Sequence, residues 1–161
     1  MTERGLQRRP GPRPRTHNAP PHTQIDAEPV PELIAELASR CFALPHVAEA
    51  PTRISVPGAR ALVATPIAPF DTTKAMIGRE FAHIHPDGSM HLVIPPETAK
   101  EAIDAGWVEP HPMAKFFNPG AVMVYTPRDP AELEVTWKLV QASHTYVMTT
   151  LPHCRPRLME S

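Results

Sequence analysis

The stretch Arg79–Ile94 constrains the fold more than any other part of this sequence, because two alternating segments flank a well-defined turn. Residues 86–88 read Pro-Asp-Gly. Proline favours the first central position of a type I turn, and glycine favours the left-handed position that follows in a three-residue hairpin loop. A loop of this length pairs His83 with His91. The sequence therefore predicts an antiparallel β-hairpin whose register is set by its turn.

The predicted register also sorts the side chains of the hairpin by chemistry. Alternate residues of a strand point to opposite faces of a sheet. One face then carries Ala82, Ile84, Met90, Leu92 and Ile94, and the other carries Phe81, His83, His85, His91 and Val93. A loop one residue shorter or longer would mix the two sets, so their segregation supports the same register as the turn does.

Three imidazoles on one face of a hairpin are a ligand arrangement typical of zinc or iron sites. His83 and His85 occupy neighbouring positions on that face, about 7 Å apart, and His91 lies across the ladder from His83. We predict His83, His85 and His91 as metal ligands, with Zn or Fe as the ion. Glu80 has the wrong parity to join them unless the end of the strand is distorted. Two alternatives stay open: a structural histidine face and a metal-free acid–base site.

No catalytic residue can be assigned from the sequence, but three residues are candidates. His111 lies between two prolines, where it could react or fix a turn. Arg79 and Glu80 could contact a substrate or form a polar pair at the end of a strand. His144 lies on the apolar stripe of a predicted helix and is expected in the core. Phosphate-loop, dinucleotide-binding and serine-hydrolase motifs are absent from the sequence, so ATP and NAD-type cofactors have no support.

Hydrophobic periodicity and turn residues predict the order α-β-β-β-β-α-β-α. The predicted elements are a helix at Val30–Phe42, strands at Arg53–Val56 and Arg60–Ala64, the hairpin, a helix at 96–105, a strand at Ala121–Tyr125 and a long helix capped by Asp129. The long helix is expected to pack on the sheet through Leu133, Trp137, Val140, His144 and Val147. This order indicates an α+β fold with a mainly antiparallel sheet and helices on one face.

The chain divides by composition into three parts. Residues 1–27 are rich in proline and arginine and lack apolar periodicity, so they are predicted to form a disordered arm. Residues 28–150 are predicted to form a single domain, and residues 151–161 a flexible tail. The net charge is −1, and five arginines lie in the first 24 residues, so the domain itself is acidic. An acidic domain argues against nucleic-acid binding.

The expected location is the cytoplasm. The sequence has two cysteines, too few for a disulfide framework. It contains no apolar stretch of membrane-spanning length and no secretory signal pattern, so no membrane partner is predicted.

Four stretches of the chain resemble, in the same order, the small luciferase domain-containing proteins of bacteria and fungi. These stretches are Ile54–Leu62, Gly78–Leu92, Gly106–Ala114 and Val122–Asp129. Some similar bacterial sequences carry a phospholipase label. The resemblance covers roughly residues 30–149. The family name implies oxidative luminescence, and no family residue with an assigned role is carried over to a position in this chain.

The sequence therefore predicts a luciferase-domain-like protein with a histidine-lined site for a small molecule or a metal. If the chain is an enzyme, the predicted chemistry is metal-assisted oxidation or hydrolysis of a small molecule. The alternative is a non-catalytic binding or interaction module, whose histidine face packs on a partner or on the C-terminal helix. Whether the chain is an enzyme and which oligomeric state it adopts are left open at this point.

Overall fold

A computed structural model describes residues 5–148, except the side chain of Phe117. Its elements are α1 (Pro31–Phe42), β1 (Val47–Pro51), β2 (Arg60–Ala64), β3 (Glu80–Ile84), β4 (Met90–Val93), α2 (Pro96–Asp104), β5 (Val108–Pro110), α3 (Ala114–Phe117), β6 (Ala121–Val124) and α4 (Pro130–Val147). The six strands form one antiparallel sheet in the order β1-β2-β3-β4-β6-β5. The predicted α+β class is confirmed.

The hairpin formed by β3 and β4 has the predicted register. His83 pairs with His91, and the backbone N–H of His85 donates to the carbonyl of Ser89 at 2.8 Å. Gly88 has a φ of 89°, the left-handed conformation that its place in the loop requires. The three hairpin histidines are therefore brought to one face of the sheet, as expected.

The strand expected at Arg53–Val56 is wrong. The partner of β2 is instead β1, which begins at Val47 and pairs through Pro51 with Arg60. The buried Glu80 carboxylate accepts hydrogen bonds from the Thr52 hydroxyl at 2.8 Å and the Arg53 N–H at 3.2 Å. The second bond keeps Arg53 out of a strand ladder, because its backbone N–H already donates to a side chain.

The face that α4 turns toward the core is rotated from the predicted one. Leu133 and Val140 are buried as expected, but Trp137 is half-buried with the Arg40 guanidinium 5.9 Å from its ring. His144 is not a core residue: it is only partly buried, and its Nε2–H donates to the Pro45 carbonyl at 2.8 Å. The residues buried with Leu133 and Val140 are Glu132, Thr136, Leu139, Ser143 and Val147. Several of these are polar, so apolar periodicity alone selects the wrong stripe.

The described part of the N-terminal segment, residues 5–27, lies against the sheet and α2, which differs from the disordered arm that its composition predicts. The N–H of Arg9 donates to the Ala105 carbonyl at 2.8 Å, and the Trp107 indole N–H donates to the Gln7 carbonyl at 2.7 Å. Arg9 and His22 are both buried. Polar and backbone contacts hold this segment, and composition does not report such contacts. We call residues 5–27 the N-terminal arm.

The domain boundaries at 28 and 150 stay a prediction, and the tail predicted at 151–161 lies outside the described residues. Within residues 5–148, none of the helices has the length and apolar character needed to cross a membrane.

Gly120 provides a test of the packing between β4 and β6. A Cβ added there would lie 2.0 Å from the carbonyl oxygen of Ile94, and the Gly120 carbonyl itself accepts the N–H of Ile94 at 3.0 Å. Backbone cannot yield here as a flexible side chain could. We expect Gly120→Ala to lower the free energy of unfolding by about 3 kcal/mol, at the upper end of the usual overpacking range. Urea denaturation measures the change.

Gly5→Ala is the matched control for this substitution. Its added Cβ would meet the Glu101 carboxylate at 2.9 Å, the far end of a flexible side chain that can move. Its unfolding free energy should stay within about 0.5 kcal/mol of the wild-type value. Equal stabilities for the two variants would contradict the close approach of Gly120 to Ile94.

Candidate metal centre

Five histidines from three parts of the chain meet on the sheet face opposite the main core. They are His22 from the arm, His83, His85 and His91 from the β3–β4 hairpin, and His111 after β5. Neighbouring ring centroids lie 4.6 to 5.4 Å apart. The first four side chains are at most 4% exposed, and His111 is partly buried. The structure thus brings together the predicted triad and adds two histidines to it.

Two overlapping triads have the spacing that a metal ion needs. One consists of His83, His85 and His91, and the other of His22, His91 and His111. Within each triad, one ligand nitrogen per residue lies within 4.8 Å of the others. His91 belongs to both, so its two ring nitrogens decide how the cluster is organised.

A β-bulge brings Glu80 to this face. The pairing of β2 with β3 shifts between Leu62, which faces Ala82, and Val63, which faces Glu80. The extra residue, Phe81, turns into the apolar core, although strand alternation placed it on the histidine face. The distortion that the sequence required for Glu80 to join the site is therefore present.

His83 is held by Glu80 on the side away from the triad. Its Nδ1 lies 3.1 Å from the Glu80 Oε1, which also accepts from the Thr52 hydroxyl. Burial would raise the pKa of Glu80, but the hydrogen bonds from His83, Arg53 and Thr52 outweigh it and lower the pKa. Glu80 is thus an ionised acceptor, so Nδ1 of His83 carries a proton and Nε2 presents its lone pair to the cluster.

His85 is held in the same way through a serine. The Ser89 hydroxyl donates to the Asp87 carboxylate at 2.6 Å, so its oxygen accepts the Nδ1–H of His85 at 2.8 Å. The other nitrogen, Nε2, is buried and has no hydrogen-bond partner among the described residues. A buried nitrogen lone pair without a donor is costly unless something binds it.

His91 is held by His22, which is held in turn by Glu109. The Nε2 of His91 lies 3.0 Å from Nδ1 of His22, and the Nε2 of His22 lies 3.1 Å from the Glu109 carboxylate. The Thr16 hydroxyl donates to the same carboxylate at 2.9 Å. Burial would raise the pKa of Glu109, but hydrogen bonds from His22 and Thr16 lower it overall. Glu109 is thus also an ionised acceptor.

The five groups that link Glu80 to Glu109 have one proton too few to form all of their hydrogen bonds. The sequence of contacts is Glu80, His83, His91, His22 and Glu109, with the His83 Nε2 and the His91 Nδ1 2.9 Å apart. This row has an ionised carboxylate at each end and four contacts between its members. Four hydrogen bonds would need four ring protons, but three neutral imidazoles carry only three. A fourth proton would create an imidazolium in a buried site, where desolvation opposes charge.

A metal ion removes this deficit. If His83 Nε2 and His91 Nδ1 are both ligands, no proton is needed between them, and the three remaining hydrogen bonds use the three available protons. Each ring then donates outward in a line that ends at a carboxylate, which is the usual environment of a metal-ligating histidine. The buried Nε2 of His85 would supply the third ligand. The donor set therefore fits a metal ion.

Burial favours the neutral form of three of the rings, His85, His91 and His111. Burial, with smaller contributions from His83 and other rings, lowers the pKa of His85 to about 3. Burial lowers the pKa of His91 well below its usual value. Burial, with smaller electrostatic contributions from His22 and His83, lowers the pKa of His111 to about 4. Neutral rings are the form that binds metal.

The lowered pKa values predict acid sensitivity of the metal-free protein. A histidine whose pKa is about 3 when folded and about 6.5 when unfolded binds protons more readily after unfolding. The contribution of such a histidine to the stability of the folded protein is fully present above pH 6.5. It is lost as the pH falls toward the pKa of the folded state. We expect unfolding free energy, measured by urea titration in EDTA, to fall between pH 7 and pH 5.

The pH range of this experiment separates histidines from carboxylates, whose unfolded pKa values lie near 4. His17→Ala is the control, because that side chain is exposed and its removal should leave the pH dependence unchanged. Constant stability from pH 7 to pH 5 would contradict the buried neutral rings.

His111 differs from the three rings of the first triad because one of its ring nitrogens already accepts a backbone N–H. Its Nδ1 accepts the backbone N–H of Met113 at 3.1 Å, which places the proton of the neutral ring on Nε2. A ligand at Nε2 would leave Nδ1 protonated and facing another N–H. His111 is thus better suited to donate a hydrogen bond than to bind a metal, so the second triad is the weaker metal site.

Arg79, the remaining candidate, is tied to the sheet edge. Its guanidinium donates to the carbonyls of Ala64 at 3.0 Å and Thr65 at 2.6 Å, and it lies 5.1 Å from the centre of the Phe70 ring. These contacts are structural and set the end of β2.

Sequence reasoning missed His22 and Glu109. A Glu-Pro-His-Pro run pointed to His111 and could have pointed to Glu109, but nothing local marks His22.

Fold and site define a class: an α+β protein whose antiparallel sheet carries a buried histidine cluster. Comparison with known proteins adds a likeness to one family over part of the chain. Residues 78–143 match the model of the luciferase domain, which confirms the resemblance over this segment. Four of the five clustered histidines lie inside the matched residues, and His22 lies outside them.

Curated relatives show the same likeness. The chain is 35% identical over 75 residues to proteins named luciferase from Armillaria gallica, Armillaria mellea and Neonothopanus nambi. Each alignment covers 43% of this chain and 28% of the relative. The chain thus matches less than a third of the length of these relatives. No solved structure matches it.

Proposed function

We propose that this chain binds one first-row transition-metal ion, zinc or iron, at His83, His85 and His91, and that the bound ion serves the conversion of a small molecule. The observation that carries the proposal is the proton deficit between His83 and His91 together with the unpartnered Nε2 of His85. Three imidazole nitrogens suit either ion. The carboxylates of Glu80 and Glu109 offset the charge of a divalent ion in this buried place.

Oxidation is the reaction that the relatives favour, since they are named luciferase. Hydrolysis is the alternative if the ion is zinc. When bound, the metal would supply redox chemistry as iron, or polarise an oxygen atom as zinc. The neutral His111, whose proton is on Nε2, would donate a hydrogen bond to the small molecule. Glu80, Ser89 and His22 would hold the ligand rings in place.

A second candidate is a non-catalytic module with a structural histidine face. The burial of the cluster favours it, because four rings, one of them from the arm itself, are at most 4% exposed. In that case, the rings would be satisfied by one shared extra proton or by a water molecule. Metal content distinguishes the two candidates.

The test is metal analysis of the protein purified without a histidine tag from a medium containing both zinc and iron. Mass spectrometry of the acid-digested protein should find one equivalent of a single metal per chain after gel filtration. The identity of the ion then separates the oxidative from the hydrolytic version. Less than about a tenth of an equivalent, with none gained on dialysis against zinc or ferrous salts, would favour the structural module.

We also propose a cytoplasmic location. Cys41 is a buried free thiol, and burial raises its pKa to about 12. Such a thiol is unreactive, and a cysteine without a disulfide is compatible with a reducing compartment. The location of a fluorescent fusion in the source cell tests this.

A further inference from the structure

His22 is the one arm side chain in the histidine cluster, and it comes from a part of the chain that the luciferase domain match does not include. It lies in a short loop closed by an antiparallel bridge between Thr16 and Gln24. The His22 ring stacks on His91, with centroids 5.1 Å apart and planes 21° apart. We call residues 16–24 the His22 loop.

We propose that His22 is a positioning residue for the metal ligand His91, and that docking of the His22 loop and metal binding are therefore coupled. The inference rests on the proposed metal function. Its basis is the 3.0 Å contact between His91 Nε2 and His22 Nδ1. By accepting the proton of His91 at Nε2, His22 fixes the tautomer whose Nδ1 lone pair faces the triad.

The His22 loop is fastened on both sides of this contact. The Thr16 hydroxyl and the His22 Nε2 bind the same Glu109 carboxylate, at 2.9 and 3.1 Å. At the other end of the loop, the Gln24 side-chain oxygen accepts the N–H of Thr126 at 3.0 Å. These few polar bonds can break and re-form, unlike the packing of a hydrophobic core.

A docked His22 loop also closes the site. His22 and His91 are 3% and 4% exposed, so a small molecule can reach the ligand face only after the loop has moved. Metal binding favours the tautomer of His91 that donates to His22 and so favours the closed loop. Since coupling between two binding events is reciprocal, the closed loop must tighten metal binding by the same factor.

The first test measures zinc affinity in full-length variants by competition with a coloured chelator. His22→Phe keeps the bulk of the ring but leaves the His91 N–H without an acceptor, and we expect zinc affinity to fall about 10- to 100-fold. His22→Asn places an amide oxygen near the former Nδ1 and should restore affinity to within about threefold of the wild type. A purely steric role predicts the opposite order.

The second test measures docking of the loop by trypsin cleavage after Arg15, whose side chain is 76% exposed. In the wild type, saturating zinc should slow cleavage of the Arg15–Thr16 bond about tenfold, within the usual range of such couplings. His22→Phe should cleave at one rate with or without zinc. His17→Ala, which removes an exposed histidine from the same loop, should behave as the wild type in both tests.

The outcomes separate this inference from the proposed function. A wild type that binds one zinc, with His22→Phe equally tight and cleavage independent of zinc, would overturn the coupling and leave the metal site intact. A wild type that binds neither zinc nor ferrous iron would overturn both. Weakened zinc binding in His22→Phe, restored by His22→Asn and matched by loss of protection from trypsin, would support the coupling.

Discussion

His83→Ala should abolish stoichiometric metal binding. The substitution removes one of the three proposed ligand nitrogens and one hydrogen-bond partner of the Glu80 carboxylate, which is 2% exposed. Loss of a residue that only supports a ligand usually costs 10- to 100-fold in metal affinity, and loss of a ligand should cost more than that. We expect zinc affinity to fall by at least about 100-fold, measured by chelator competition.

His144→Ala is the control for His83→Ala. It also removes one imidazole, but this ring is not part of the histidine cluster and donates to the Pro45 carbonyl. Its zinc affinity should equal that of the wild type. If His83→Ala retained one tightly bound zinc, the triad could not be the site, and the second triad around His22 would be the next to test.

Arg9→Ala should destabilise the protein strongly, contrary to what the composition of the arm predicts. The Arg9 guanidinium is buried, lies 3.7 Å from the Glu132 carboxylate and is 5.4 Å from the centre of the Tyr125 ring. Removing one partner of a buried ion pair leaves the other charge less compensated and typically costs 3–5 kcal/mol. Glu132 keeps its contacts with Arg128, so we expect about 3 kcal/mol, measured by urea denaturation.

Arg8→Ala provides the comparison for Arg9→Ala. Arg8 is the neighbouring residue, has the same charge and is exposed. Its substitution should change the unfolding free energy by no more than about 0.5 kcal/mol. Equal, small effects of both substitutions would show that the arm is not docked in solution, and the coupling proposed for His22 would lose its basis.

The hairpin could be predicted because its information is local. Turn residues at 86–88 and the alternation around them set the register, and this register alone brings His83 opposite His91. Antiparallel strands joined by a short loop leave little freedom to the rest of the chain. The predicted triad therefore came from residues within ten positions of one another.

The contacts that support the triad could not be predicted in the same way. Glu80 reaches His83 through a bulge at Phe81, and a bulge changes parity without a clear sign in the sequence. His22 reaches His91 across 69 residues, from a segment whose proline and arginine content is typical of disorder. Long-range polar contacts depend on the folded geometry, so composition and periodicity do not report them.

Burial patterns in α4 failed for a related reason. Thr136 and Ser143 are buried although they are polar, and Trp137 is half-buried although it is large and apolar. A hydrophobic stripe identifies a buried face when apolar residues alone cover it. Here, both candidate stripes share Leu133, Val140 and Val147, so the sequence could not choose between them.

X-ray absorption at the edge of the bound metal tests the central claim most directly. Protein loaded with one equivalent of zinc should show three imidazole nitrogens at about 2.0–2.1 Å, with the multiple-scattering pattern of histidine rings. His85→Ala should lose one of these nitrogens or the metal altogether. A first coordination sphere made of oxygen or sulfur atoms, or a spectrum unchanged in His85→Ala, would contradict a metal centre at His83, His85 and His91.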